Sequence, residues 1–163
     1  MILKMVIKIV LLTLACMIFG FFALATLLYM IFPPQLSQKA VEKDFIKNYD
    51  DIMIVTDYLV NSEYEDVWIH KTYEIDTIFV SQWGDVVIDD PQFISTIKTL
   101  FEKGYKSISK KETHIKFCRS STMNGSSGVV YSIDGNEPVF AYLVKLEQLP
   151  ETNWYYYEER ALR

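Results

Sequence analysis

The sequence is poor in the residues that bind metals and form disulfides, with two cysteines and two histidines among 163 residues. Cys16 and Cys118 lie in different parts of the chain, so we predict no disulfide between them. A lone cysteine in the folded part of the chain is also a poor basis for a zinc site. His70 and His114 lie on separate predicted strands, and we interpret both as surface histidines. We therefore predict no metal site, no cofactor and no catalytic residue.

Basic residues are scarce as well. The chain carries 16 Lys and Arg against 21 Asp and Glu. Lys4 and Lys8 precede residue 9, which leaves 14 basic residues, all 21 acidic residues and a net charge of −7 in residues 33–163. Nucleic acids and anionic lipid headgroups both require a basic protein surface. The charge balance therefore excludes nucleic acid as an expected partner.

Charged residues are missing altogether from Ile9 to Phe32, a run of 24 residues. As a helix this run would be about 36 Å long at about 1.5 Å per residue, which exceeds a hydrocarbon core of about 30 Å. We predict a single transmembrane signal-anchor helix over 9–32. Residues 1–8 then form a short basic leader, and residues 33–163 have the length of one compact domain.

Two other interpretations of this run remain open. Ala23-Leu24-Ala25 has the small-x-small pattern of a signal peptidase site, which predicts cleavage after Ala25. Leu14-Ala15-Cys16 partly matches a lipidation site at Cys16. Either event would leave a strongly apolar new N-terminus, so we favour the retained anchor.

The lysines on the two sides of the run predict its orientation. Lys4 and Lys8 favour a cytoplasmic N-terminus, because basic residues stay on the cytoplasmic side. Lys39, Lys43 and Lys47 lie further from the run and oppose this orientation. We expect a cell membrane protein with its N-terminus in the cytoplasm and its domain outside.

The domain is predicted to have an α+β fold. Apolar residues recur every three or four positions from Ser37 to Asn61, which predicts a long amphipathic helix over 37–61. Asp90 and Pro91 are typical of a helix start and Gly104 of a helix end, so a second helix is predicted over 90–103.

Short alternating segments separated by turn residues predict a mainly antiparallel sheet with both helices on one face. Asn124-Gly125 is a turn signal, and we expect 120–128 to form a loop. The strands are predicted to start near Val67, Thr77, Val86, Tyr105, Thr113, Val129 and Asn153. The residues of the fifth strand predicted to face away from the core are His114, Lys116 and Cys118.

Patterns typical of catalysis are absent from the sequence. Gly125-Ser-Ser-Gly128 has neither the Gly-x-Ser-x-Gly form nor the spacing of a phosphate-binding loop, and Cys118 has no neighbouring nucleophile signature. We expect the domain to bind a partner without catalysis. The alternative is a cell-envelope hydrolase that uses His70 and His114 with a carboxylate.

Four consecutive aromatic residues form the predicted binding surface. On a strand, Trp154 and Tyr156 face one side, and Tyr155 and Tyr157 face the other. One pair can serve the core and leave two aromatic rings for recognition, for which exposed Tyr and Trp are favoured. Burial of the strand on both sides is the alternative.

The run from Gly128 to Pro138, with Trp154 to Glu159, resembles the C-terminal part of small uncharacterised membrane-anchored or secreted proteins of Gram-positive bacteria. The resemblance implies a bacterial plasma-membrane location and assigns no functional residue. We therefore predict a single-pass membrane protein whose acidic extracytoplasmic domain binds a protein or envelope partner. A membrane-tethered cytoplasmic regulator is a further alternative.

Overall fold

The chain forms two units, Met1–Pro34 and Gln35–Arg163. The computed structural model describes residues 2–31, 36–70, 77–80, 84–88 and 90–161. Phe32, the last residue of the predicted span, lies outside the described residues. The second unit has an α+β architecture in which helices pack on an antiparallel sheet.

The first unit contains one helix, α1 (Ile2–Ile31). Most of its apolar side chains described at 13–28 are exposed, including those of Met17, Phe19 and Phe21 at 67%, 77% and 70%. The hydroxyl of Thr26 donates a hydrogen bond to the carbonyl oxygen of Phe22 at 2.8 Å, so this polar group is satisfied within the helix. Within the described residues, no helix combines the length and the apolar character needed to cross a membrane.

Three helices belong to the second unit: α2 (Gln38–Lys47), α3 (Tyr49–Asn61) and α4 (Pro91–Glu102). The helix predicted over 37–61 is therefore interrupted, and the prediction of two helices in the domain was wrong. The break is at Asn48, whose Nδ2 donates to the carbonyl oxygen of Asp44 at 2.7 Å. An Asn side chain that bonds the backbone in this way competes with helical hydrogen bonds.

Local hydrogen bonds define the ends of α4. The side chain of Asp90 accepts a hydrogen bond from the Phe93 N–H at 2.9 Å. Gly104 has a φ of 103°, and the N–H of Tyr105 donates to the carbonyl oxygen of Leu100 at 3.1 Å. This is the left-handed C-terminal turn that favours glycine.

The sheet has eight strands within the described residues, in the order β3-β2-β1-β4-β5-β6-β8-β7, and every pair is antiparallel. The strands are β1 (Val67–His70), β2 (Thr77–Val80), β3 (Gly84–Val87), β4 (Ser107–Lys110), β5 (His114–Thr122), β6 (Gly125–Ser132), β7 (Leu143–Gln148) and β8 (Trp154–Arg160). The chain leaves β3 through helix α4 and continues as β4. Strand β4 pairs with β1 on the edge opposite β2.

The loop predicted over 120–128 is mostly strand. Ser121 pairs with Ser126, which in turn pairs with Glu159, so the small residues are held in the sheet from both sides. The turn is confined to Met123 and Asn124. Small side chains allowed the backbone to pair where composition alone suggested a loop.

The core lies between the three helices and one face of the sheet. Its largest buried side chains include those of Phe45 from α2, Phe93 from α4 and Trp154 from β8. Alternate residues of the same strands project from the opposite side, which we call the second face. Residues 139–142 pass over part of this second face, where Phe140 contacts it.

Candidate functional site

The second face carries a cavity of about 520 Å³, which we call the second-face cavity. Small-molecule sites in proteins have volumes of about 300–1,000 Å³, so this cavity has the size of a ligand site. The residues used below that line it are Asp66, Trp68, His70, Lys106, Ser107, Lys111, His114, Lys116, Cys118, Ser126, Phe140, Tyr142, Tyr157, Glu159 and Arg160. They come from β1, β4, β5, β6, β8 and neighbouring segments, so the sheet order assembles the site.

One row of the cavity floor crosses five strands. The paired residues are His70, Ser107, Cys118, Gly128 and Tyr157, in that order. Paired residues in antiparallel strands lie about 5 Å apart. Gly128 has no side chain, which allows the backbone of β5 to approach β6 closely between Cys118 and Tyr157: a Cβ atom there would lie 2.0 Å from the carbonyl oxygen of Phe117.

The two histidines line the same cavity but do not form a pair. His70 lies in the same row as Cys118, two strands away from it. His114 lies on β5, four residues before Cys118. With about 4.8 Å between strands and about 3.4 Å per residue, their Cα atoms are roughly 17 Å apart. A proton cannot pass directly between two groups at that separation, because general acid–base partners must reach hydrogen-bond distance.

His114 is buried, and its interpretation as a surface histidine was wrong. Phe140 covers it, with the ring centroids 5.2 Å apart, and Nδ1 lies 3.1 Å from the hydroxyl oxygen of Thr113. Burial lowers the pKa of His114, and the positive charge of Lys116 lowers it further. The neutral ring is therefore favoured in the folded protein.

This lowered pKa predicts that the domain loses stability in mild acid. In the unfolded chain His114 titrates near its usual pKa of about 6.5. As the pH falls through that value, the unfolded state gains a proton before the folded state does, so the free energy of unfolding decreases. His114→Gln is expected to flatten this decrease between about pH 7 and about pH 5, measured by urea unfolding at each pH. An unchanged pH dependence in the variant would contradict the assignment.

Cys118 and Tyr157 form a buried contact on the cavity floor. The thiol of Cys118 donates to the carbonyl oxygen of Ser120 at 3.4 Å, and its pKa is raised by burial. Burial and the neighbouring Cys118 also raise the pKa of Tyr157 well above its usual value. A nucleophilic cysteine needs a lowered pKa and access to solvent. Cys118 has neither feature.

Lys116 is the central charged group of the cavity. Its Nζ lies 2.7 Å from Oε1 of Glu159 and 4.6 Å from the centroid of the Phe140 ring. The other carboxylate oxygen of Glu159 accepts a hydrogen bond from the hydroxyl of Ser126 at 2.9 Å. The arrangement thus holds a carboxylate between a cation and a hydroxyl donor.

The predicted aromatic binding surface is not exposed. The alternation was predicted correctly, because Trp154 and Tyr156 enter the core between helices and sheet. Tyr157 faces the other side but is also buried, at 1% exposure, because Phe140 packs edge-on against its ring at 5.7 Å. Only Tyr155 is partly accessible. The alternative interpretation, in which the strand is buried on both sides, describes it better.

Sequence reasoning missed Lys116, Glu159 and Tyr142 as cavity residues. Lys116 and Glu159 are brought together by the pairing of β5 with β6 and of β6 with β8, which no local pattern predicts. Tyr142 has a φ of 65°, although a bulky residue rarely adopts the left-handed conformation. Such backbone strain often occurs at binding sites. The unusual φ of Tyr142 is a property of the fold and could not be predicted from the sequence.

A second concavity, of about 620 Å³, lies beside α3 and α4. Its acidic residues are Asp57, Glu63 and Asp90, and the rings of Tyr58 and Phe93 stack nearby at 3.9 Å. Asp90 already caps α4. In the part of the chain that the structure describes, no group of three His, Cys, Asp or Glu side chains is arranged to hold a metal ion.

Comparison with known proteins gives no further guide: no family model, curated protein or solved structure matches this chain. The resemblance to small Gram-positive membrane-anchored or secreted proteins therefore stays a prediction. The cavity itself is the basis for assigning a function.

Proposed function

We propose that this protein is a single-pass membrane-anchored binding protein whose extracytoplasmic domain takes a ligand or a partner group into the second-face cavity. The observation that carries the proposal is the cavity itself, which combines a suitable volume with aromatic walls and the half-buried ion pair of Lys116 and Glu159. Binding sites of this kind place a few polar groups among apolar ones.

The membrane anchor is proposed from the sequence, because the run Ile9–Phe32 has no charged residue, whereas the described part of α1 does not by itself meet the requirements of a span. Helix α1 is continuous through this run as far as Ile31, and the apolar side chains described within it, at 13–28, are largely exposed to their surroundings. A helix that is apolar on all sides is typical of a buried or membrane-spanning segment. Lys4 and Lys8 favour the cytoplasmic side for the N-terminus.

Binding is favoured over catalysis by the positions of the reactive groups. His70 and His114 line the same cavity, which is the observation in favour of a hydrolase, but their estimated separation is too large for one to exchange a proton with the other. The thiol of Cys118 is buried and protonated. A hydrolase remains the second candidate, with a single histidine acting alone as its base.

The membrane topology predicts a specific pattern of protease sensitivity. In intact cells, we expect added protease to remove residues 33–163. Without protease, we expect the full chain to stay in the membrane fraction after an alkaline wash. A cytoplasmic protein followed in the same cells controls for lysis. Protection of the domain until the cells are opened would contradict the topology and favour the tethered cytoplasmic regulator. A mature chain that starts after Ala25 would instead indicate cleavage.

A further inference from the structure

We propose that the second-face cavity binds a small anionic ligand, one that presents a carboxylate or a phosphate group to Lys116 in competition with Glu159. This ligand class rests on the proposed function, because it concerns the same cavity. Three features point to it: the charge of the lining, the geometry of the ion pair inside it and the aromatic walls.

The charge of the cavity lining is opposite to that of the domain. Residues 33–163 carry a net charge of −7. The charged residues that line the cavity are the basic Lys106, Lys111, Lys116 and Arg160 and the acidic Asp66 and Glu159. Lys111 is paired with Asp66, whereas the side chains of Lys106 and Arg160 form no hydrogen bond or ion pair with the described part of the chain. A concave site with excess charge of one sign concentrates ligands of the opposite sign.

The ion pair between Lys116 and Glu159 shows how an anion fits. The side chains are 21% and 17% exposed, so water screens the pair only partly. Glu159 receives one contact from the ammonium group and another from the hydroxyl of Ser126. These are the donors that a bound carboxylate or phosphate would need. An incoming anion must therefore displace Glu159 or share Lys116 with it.

The aromatic walls favour a ligand with an apolar body beside its charge. Trp68 and Tyr142 line the cavity and are 56% and 57% exposed, which is unusual for side chains of this size. The carbonyl oxygen of Tyr142 accepts a hydrogen bond from the N–H of Arg160 at 3.0 Å, which ties the strained segment to β8. Exposed Trp and Tyr at a concave site are typical of recognition surfaces.

Four probes that share a benzene ring test the ligand class on the full-length chain in a non-ionic detergent. Phenyl phosphate and benzoate are the anions and distinguish the two acid groups, benzyl alcohol is neutral, and benzylammonium is cationic. Quenching of Trp68 fluorescence reports binding, and Trp68→Phe controls for signals from the other tryptophans. We expect saturable binding of at least one anion and none of benzylammonium.

Two variants of the ion pair should change anion binding in opposite directions. Lys116→Gln removes the attracting charge and is expected to weaken binding about tenfold, whereas Glu159→Gln removes the competing carboxylate and is expected to tighten it about tenfold, as for a charge-assisted hydrogen bond. Lys145 and Glu147 form a comparable ion pair, at 2.8 Å, between residues that do not line the cavity. Lys145→Gln and Glu147→Gln should leave binding unchanged.

The outcomes separate the ligand class from the binding function. Equal or tighter binding of benzyl alcohol or benzylammonium would overturn the anionic class while leaving a binding cavity. Changes of the same sign in Lys116→Gln and Glu159→Gln, with unchanged circular dichroism spectra, would also overturn the class. Absence of binding by all four probes would overturn both the ligand class and the proposed cavity function.

Discussion

Replacing Trp154 with alanine is expected to lower the free energy of unfolding by about 3–5 kcal/mol, the usual cost of emptying a buried aromatic site. Trp154 is 1% exposed and its ring lies 4.9 Å from that of Phe45, 5.1 Å from that of Tyr131 and 5.9 Å from that of Phe117. It joins α2 to three strands of the sheet. Because domains have a total stability of about 5–15 kcal/mol, this loss leaves a marginal fold.

Urea unfolding followed by circular dichroism measures this loss. Tyr155→Ala is the matched control, because the neighbouring side chain faces the other side and is partly accessible. We expect its effect to be smaller than about 1.5 kcal/mol, as for ordinary positions near the surface. If Trp154→Ala left the midpoint unchanged and altered only partner binding, the core assignment of Trp154 would be wrong and the original surface interpretation would return.

The local parts of the fold could be predicted because their causes lie within a few residues. Asp90 caps α4 through a hydrogen bond to Phe93, three positions away, and Gly104 ends it through its own φ. Alternation along β5 assigned Phe117 and Lys116 to opposite faces for the same reason, since adjacent side chains of a strand point in opposite directions. In each case the sequence neighbours alone determine the result.

The helix break at Asn48 shows where such reasoning is insufficient. The apolar stripe from Val41 to Leu59 continues across the break, so periodicity predicts one helix. Asn48 is buried at 3% exposure and its side chain bonds to Asp44. Whether an Asn bonds to its own backbone or points to solvent depends on the packing around it, and packing is not visible in a hydrophobic pattern.

The candidate site could not be predicted, because long-range pairing creates it. Lys116 and Glu159 come together because β6 lies between β5 and β8 in the sheet. The burial of His114 and Tyr157 depends on Phe140, which belongs to an irregular segment with no clear pattern. Composition gives residues 33–163 a net negative charge, yet it could not indicate that the cavity has the opposite charge balance.

Gly128→Ala is expected to destabilise the domain by about 3 kcal/mol or more, at the upper end of the cost of overpacking. A Cβ atom at this position would lie 2.0 Å from the carbonyl oxygen of Phe117, a distance that only a backbone shift can relieve. The register between β5 and β6 is irregular between Cys118 and Ser120, next to this contact. The shift would also separate Cys118 from Tyr157 on the cavity floor.

Thermal and urea unfolding of Gly128→Ala test this requirement, with Ser127→Ala as the matched control. The control removes a hydroxyl group from the adjacent residue and requires no backbone movement, so we expect a change within about 1.5 kcal/mol. Because β6 pairs with β5 on one side and β8 on the other, the loss at Gly128 should exceed that of the control in both experiments. Equal stability of the two variants would mean that the sheet can relax at Gly128, and the close approach of β5 and β6 would then not be needed for the cavity floor.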